Sequence, residues 1–182
     1  MKANCLFLLT LLLTASSCKK KDPSALPDAT QEGRNSAGFL FDGQPWIPEW
    51  KSSTSTNSPV DASWQRTSAG RSLSFGFSRL NDKEYKNVDF FIPDIRRAGT
   101  FLLNQTASPT LGFRNPAYGR YTIDRPVPLR LFLTGPTAIG TLIVTRFDTV
   151  ARVVSGTFDL TVQEETRPET HRLTDGRFDL TF

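Results

Sequence analysis

The chain has 182 residues, with 22 lysines and arginines against 18 aspartates and glutamates, and a formal net charge of +4 at pH 7. This length suits one domain, and most of the positive excess lies in the run Lys19, Lys20 and Lys21. The remainder is close to neutral and lacks the basic surface that nucleic-acid binding requires. One histidine and two cysteines exclude zinc or copper sites built from those residues.

Residues 1–18 have the layout of a bacterial lipoprotein signal. Lys2 gives a positive start, residues 6–13 form a leucine-rich run, and three small residues lead directly into Cys18. The run is too short to span a hydrocarbon core about 30 Å thick, which takes roughly 20 residues. We predict cleavage after residue 17 and acylation of the Cys18 thiol. An ordinary secretory signal and a retained membrane helix are the alternatives, and the position of the cysteine favours the lipoprotein signal over both.

The mature chain is predicted to have two parts. Residues 18–36 are polar, contain two prolines and a glycine, and indicate a flexible tether. A single all-β domain is expected over residues 37–182. Cys5 leaves with the signal peptide, so the domain has no free thiol and no disulfide. Its stability must come from its core, for which the chain supplies 14 phenylalanines.

Period-two patterns predict a series of strands in the domain. In chain order, the predicted strands are residues 38–41, 72–78, 88–92, 99–103, 121–123, 140–147, 153–162 and 176–182. Residues 51–59 have no periodicity and predict an exposed loop. No convincing helix of ten or more residues is found, because Ser, Thr, Gly, Pro and β-branched residues interrupt every candidate. We predict an all-β fold, an antiparallel β-sandwich, with a closed lipocalin-like β-barrel as the alternative.

Two of the predicted strands nearly repeat one another. Residues 156–161 read Gly-Thr-Phe-Asp-Leu-Thr, and residues 176–181 read Gly-Arg-Phe-Asp-Leu-Thr. Two copies do not make a solenoid, so we interpret them as adjacent strands under the same packing constraint. Phe158 and Phe178 are predicted to point into the core, with the intervening threonine and aspartate positions on the opposite face.

No catalytic constellation is recognisable, and we predict a non-enzymatic binding or structural module without metal or cofactor. His171 is the only histidine and is expected to face solvent. The sequence contains no Gly-x-Ser-x-Gly elbow that would supply a nucleophilic serine for it. A carboxylate-dependent glycan hydrolase is the rival function, with Asp159 and Asp179 as its pair on one outer face. Such aspartates beside threonines more commonly line a wet sheet surface.

The tryptophans are weak candidates for ligand contact. Trp46, Trp50 and Trp64 lie close to the loop at 51–59, and indole rings offer sugars a flat apolar face with a polar edge. Packing is the favoured interpretation for all three, with Trp46 as a plug at one end of the sandwich. Besides the membrane, a glycan or an envelope protein is the expected partner. A barrel that binds a small apolar ligand is a third function left open.

Three segments resemble one family. Residues 38–46, an apolar strand followed by Gly-x-x-Trp, resemble the opening of small secreted lipoproteins from Bacteroidetes-type bacteria. Ser-Gly-Thr-Phe at 155–158 and Thr-Asp-Gly-Arg-Phe at 174–178 are similar to two strands of that family. The resemblance implies an all-β domain of unknown function, lipid-anchored in the cell envelope, and carries over no catalytic residue. We predict attachment to the outer membrane, with the periplasmic and surface faces both left open.

Overall fold

The computed structural model describes residues 26–51, 58–68, 70–108, 112 and 114–182. The predicted signal peptide, Cys18 and the first part of the predicted tether lie outside the described residues. Within them the chain forms strands and no α-helix, so the predicted all-β class is confirmed. The strands are β1 (Ser36–Phe41), β2 (Gln44–Trp46), β3 (Glu49–Trp50), β4 (Val60–Thr67), β5 (Gly70–Leu80), β6 (Tyr85–Pro93), β7 (Gly99–Leu102), β8 (Tyr118–Arg125), β9 (Arg130–Leu133), β10 (Gly140–Asp148), β11 (Val153–Glu164) and β12 (Thr170–Thr181).

These strands belong to one mixed sheet that curls into a half-barrel. Its hydrogen-bonded order is β2-β1-β12-β11-β9-β8-β6-β5-β3, with β10 beside β11, β7 beside β10 and β4 beside β5. The β3 and β5 pair is parallel, and the other pairs described are antiparallel. β2 and β3 lie at opposite ends of this order, yet only Ile47 and Pro48 separate them in the chain. Residues 44–50 therefore connect the first strand of this order, β2, directly to the last, β3.

The concave face of the sheet holds an aromatic core. Phe75 of β5 stacks on Phe178 of β12 with ring centroids 4.5 Å apart, and Phe90 of β6 lies 4.8 Å from Phe158 of β11. None of these four side chains is more than 2 % exposed. Phe158 and Phe178 thus point into the core as predicted. The curl of the sheet brings β5 and β6 against β11 and β12, and burial of these large rings supplies much of the driving force for folding.

The repeated sequences form the ladder between β11 and β12. Gly156 is opposite Phe178, and Gly176 is opposite Phe158. A Cβ on Gly176 would come within 2.4 Å of the Phe158 ring, and one on Gly156 within 2.8 Å of the Phe178 ring. Each phenylalanine therefore lies over the glycine of the partner strand. The sequence repeats because the two antiparallel strands exchange the same contact.

Asp159 and Asp179, the predicted carboxylate pair, are not brought together. Because β11 and β12 are antiparallel, Asp179 is opposite Ser155. Asp159 lies four residues further along β11, about 13 Å away at 3.3 Å per residue. Asp159 is exposed, whereas Asp179 is 1 % exposed. The prediction that both aspartates lie on one solvent-facing surface is wrong. Because the two strands run in opposite directions, equivalent positions of the repeat are not opposite each other but lie at different heights along the ladder.

Residues 26–35, which we call the arm, cover Asp179 on the outer face of β12. The Asp179 carboxylate accepts hydrogen bonds from Thr30 Oγ1 at 2.5 Å, from the three amides of residues 32–34 at 2.7 to 3.2 Å, and from Ser155 Oγ at 2.7 Å. A positive φ of 74° at Gly33 lets successive N–H groups converge on one carboxylate. This part of the stretch predicted as a tether is therefore fixed to the domain.

The Asp179 carboxylate predicts a loss of stability in acid. Burial raises its pKa, but the hydrogen bonds from Thr30, Ser155 and the arm amides outweigh burial and lower the pKa to about 2. Since an unfolded aspartate titrates near 3.9, the ionised group stabilises the fold above about pH 4, and this contribution disappears as the pH falls towards 2. We expect urea unfolding to show a loss of about 2 kcal/mol over that range.

Asp179→Asn is expected to flatten this part of the stability profile, because the amide does not titrate. Asp159→Asn is the matched control, since Asp159 is exposed and accepts a single hydrogen bond from the Asp175 amide. An unchanged acid profile in Asp179→Asn would show that other groups produce the loss of stability.

Candidate functional site

At one end of the curled sheet, polar side chains replace apolar ones at positions that face the core. The residues at these positions, which we call the rim, are Arg79, Lys86, Arg130, Glu164 and His171. Each lies two residues from a side chain no more than 1 % exposed on the same face of its strand, namely Phe77, Val88, Phe132, Val162 and Leu173. Because alternate residues of a strand share a face, the rim side chains also point inward. Charge in such a position is costly unless it is paired.

Two rim cations are paired with carboxylates. Arg130 donates from Nε and Nη2 to the two carboxylate oxygens of Glu164, at 3.0 and 2.8 Å, and also contacts Glu169. Lys86 Nζ lies 2.6 Å from Glu84 Oε2. The hydrogen bonds from Arg130 lower the pKa of Glu164, which is 7 % exposed. The positive charges of Arg130 and Lys86 are thus neutralised by carboxylates of the same domain.

His171 belongs to the same paired network. Its Nδ1 lies 2.7 Å from Asp42 Oδ2, its Nε2 lies 3.2 Å from Glu169 Oε1, and its ring is 4.7 Å from the Phe41 ring. The prediction that His171 faces solvent is wrong, because it is opposite the buried Val162 and its side chain is 18 % exposed. The partners of its ring nitrogens in the described chain are carboxylates rather than a hydroxyl or thiol, so these contacts do not form a hydrolase triad.

Tyr121 lies one layer beneath the rim and is 2 % exposed. Its ring packs 4.9 Å from Phe41 and 5.6 Å from Phe132. Within the described chain its hydroxyl makes no hydrogen bond, and the fully buried side-chain atoms without a partner are three indole nitrogens. The Tyr121 oxygen therefore keeps some contact with solvent. Burial and the nearby Glu84 carboxylate raise the pKa of Tyr121 well above its ordinary value, so the phenol keeps its proton.

Arg79 is a fixed rim cation without a carboxylate partner in the part of the chain that the structure describes. Its guanidinium carbon lies 4.7 Å from the centre of the Trp46 ring. Its Nε and Nη2 donate to the carbonyl oxygen of Ile47 at 3.2 and 3.1 Å. Residues 44–50 thus orient the guanidinium as well as joining the ends of the sheet order. Within the described chain Nη1 makes no hydrogen bond.

Of the three tryptophans, Trp46 reaches the rim. It is 4 % exposed and stacks on Phe39 with centroids 4.7 Å apart. Trp64 instead packs against Phe147 at 6.2 Å, and Trp50 pairs with β5. The indole nitrogens of all three are buried without a hydrogen-bond partner in the described chain. Trp46 is therefore the one of the three whose ring contacts Arg79, the rim cation without a carboxylate partner in the described chain.

Sequence reasoning missed Arg79, in the rim, and Tyr121, directly beneath it. Within the described chain each has a donor group that makes no hydrogen bond. Neither belongs to a motif, and each occurs in a strand among many similar residues. An inward-facing arginine next to the apolar Phe77 was the available signal, because charge at a core-facing position needs a reason. Its meaning depends on strand register, which a single sequence does not supply.

The described residues offer little else of known chemical type. They contain no cluster of three or more His, Cys, Asp or Glu side chains arranged to hold a metal ion. No helix among them is long and apolar enough to cross a membrane. Comparison of the chain with family models, curated proteins and solved structures found no match. The resemblance to secreted lipoproteins therefore stays a prediction.

Proposed function

We propose that this protein is a non-enzymatic binding module, anchored by lipid in the bacterial outer membrane, and that it binds a small polar ligand at the rim. The observation that carries the proposal is the Tyr121 hydroxyl, which lies beneath the paired charges of the rim and makes no hydrogen bond within the described chain. Because the Tyr121 oxygen keeps some contact with solvent, water can satisfy it in the free protein, and a polar ligand can take the place of that water. Binding sites commonly retain such groups because a ligand completes them.

The packed interior argues against the alternative of a barrel that holds a small apolar ligand. Phe75, Phe90, Phe158 and Phe178 meet across the concave face with centroid separations of 4.5 to 4.9 Å between stacked or neighbouring rings. An apolar ligand would have to displace these rings. The rim, where inward side chains are polar, is the part of the concave face that suits a polar ligand.

For the alternative of a glycan hydrolase, two carboxylates other than the predicted pair lie close together. On the convex face, Asp61 and Asp89 flank Gly76, and their Oδ1 atoms lie 3.5 and 2.9 Å from the position of a Gly76 Cβ. Asp61 is exposed as a whole residue, but partial burial of its carboxyl group, together with the Asp89 charge, raises its pKa. However, Arg120 binds Asp89 at 2.9 Å, and Asp61 is exposed. A convex face gives a sugar ring no walls, so we favour binding over hydrolysis.

The anchor is supported by the sequence of residues 1–18 and is tested by one substitution. Cys18→Ala is expected to abolish incorporation of a fatty-acid analogue, because the side chain that forms the thioether is removed. Metabolic labelling followed by membrane fractionation measures this. Cys5→Ala is the matched control and should leave labelling unchanged. Label that persists in Cys18→Ala would overturn the lipid-anchored part of the proposal.

A further inference from the structure

We infer that the rim binds the carboxylate group of a small organic acid, held between Arg79 and Tyr121. This inference rests on the proposed function, since it names the ligand class of the same site. Two groups here make no hydrogen bond within the described chain, and both can act as donors. They are the Nη1 group of Arg79 and the hydroxyl of Tyr121.

The two principal groups lie on either side of one strand. Arg79 is on β5 and Tyr121 is on β8, and both strands pair with β6. Two strand spacings, about 10 Å, separate their backbones across the sheet. Arg79 is opposite Lys86 and Tyr121 is opposite Val88, so they are also two residues, about 7 Å, apart along β6. Both long side chains face the concave side. The charge of Arg79 contributes to the electrostatic environment of the Tyr121 hydroxyl. A small ligand over β6 can therefore contact both groups.

The character of these groups selects the ligand chemistry. A guanidinium offers donors and no acceptor, and the protonated phenol of Tyr121 supplies a further donor. The complement of two neighbouring donors is an acceptor group, and a carboxylate accepts through both oxygens. The other rim cations, Lys86 and Arg130, already have carboxylates at 2.6 and 2.8 Å. Arg79 is thus the rim cation with capacity for an added anion.

The charge count favours a single negative charge. Arg79 supplies one uncompensated positive charge, and Glu84 lies close enough to raise the pKa of Tyr121. A phosphate dianion would bring a second negative charge towards Glu84, and like charges at short range repel. A carboxylate monoanion balances Arg79 without that repulsion. Because Trp46 and Ile47 already hold the guanidinium in place, binding loses little side-chain freedom.

The three indole N–H signals of the full chain, solubilised in detergent and labelled with nitrogen-15, provide the test. Trp46 should report binding, while Trp50 and Trp64 serve as internal controls, each assigned by its Trp→Phe variant. Sodium glucuronate and glucose are the probes, because they differ by one carboxylate. We expect glucuronate to shift the Trp46 signal saturably and glucose to bind at least about tenfold more weakly.

Substitutions assign the effect to the two groups. Arg79→Gln and Tyr121→Phe should each weaken glucuronate binding about tenfold or more, whereas Arg66→Gln, at an exposed position of β4, should leave it unchanged. If Arg79→Gln fails to fold, Tyr121→Phe decides, since it removes one oxygen and keeps the ring. Full affinity in a folded Tyr121→Phe would overturn the inference.

The probes also separate this inference from the proposed function. Equal binding of glucose and glucuronate, or tighter binding of inorganic phosphate, would overturn the carboxylate assignment and leave the rim as a binding site. No shift of Trp46 with any of the three probes would count against both. Shifts of all three indole signals by glucuronate would mean a bulk effect and would likewise overturn the inference.

Discussion

Phe158→Ala and Phe178→Ala are each expected to lower the free energy of unfolding by about 3 to 5 kcal/mol. Both rings are at most 2 % exposed, and each contacts rings from β5 or β6 across the interior. Truncation removes this apolar contact and leaves a cavity that packed neighbours fill only in part. A typical domain has a total stability of about 5 to 15 kcal/mol, so either change removes a large share.

Thr157→Ala is the matched control for these core truncations. Thr157 precedes Phe158 on β11 and points to the opposite face, so its loss should change stability by about 0.5 kcal/mol or less. Urea midpoints for Phe158→Ala, Phe178→Ala and Thr157→Ala measure the difference directly. Equal losses on both faces would mean that β11 is buried on both sides, contrary to the assignment of its outer face.

Gly156→Ala and Gly176→Ala are the second pair of changes with large expected effects. A Cβ on Gly176 would lie 2.4 Å from the Phe158 ring, and one on Gly156 would lie 2.1 Å from the carbonyl oxygen of Ile143. Overpacking of this kind costs about 1 to 3 kcal/mol, and more when the obstructing atom belongs to the backbone. We therefore expect Gly156→Ala to be the more damaging of the two.

Gly99→Ala separates this effect from the general cost of replacing a strand glycine. Apart from Gly99 and its two chain neighbours, no atom of the described residues lies within 4 Å of the position of a Cβ on Gly99, and the backbone there does not require glycine. Thermal unfolding followed by circular dichroism should show a small change for Gly99→Ala and a clear loss for the other two. A cost for Gly156→Ala no greater than for Gly99→Ala would contradict the close approach of β10 to β11.

The sequence predicted the strands best where apolar and polar residues alternate strictly. Residues 140–147 and 153–162 fall within β10 (Gly140–Asp148) and β11 (Val153–Glu164). β12 begins at Thr170, six residues before the predicted start at 176, because its first half is polar and gives no alternation to detect. Pairing with β11, rather than local propensity, makes that half a strand.

The face of His171 shows why register was harder to predict than strand position. Counting back from Phe178 in steps of two assigns His171 to the outer face. In the ladder, Phe158 is opposite Gly176 while Leu160 is opposite Leu173, so β12 contains one extra residue between these pairs. A bulge of this kind reverses the faces of all residues beyond it. Neither the bulge nor the rim that it helps to form has a signature in the sequence.

The position of β12 in the sheet has a consequence for the order of events in folding. β12 (Thr170–Thr181) lies between β1 and β11 in the sheet order. Its pairing with β11 is a local hairpin, whereas its pairing with β1 joins the first and last strands of the described chain, from Ser36 opposite Asp179 to Phe41 opposite Leu173. Such contacts form late, because the intervening chain must first be brought together. For a chain exported N-terminus first, as we propose, the sheet stays incomplete until residues 170–181 have emerged. Emergence of residues 170–181 would then complete the sheet, and until that point the chain in transit would remain extended enough to pass.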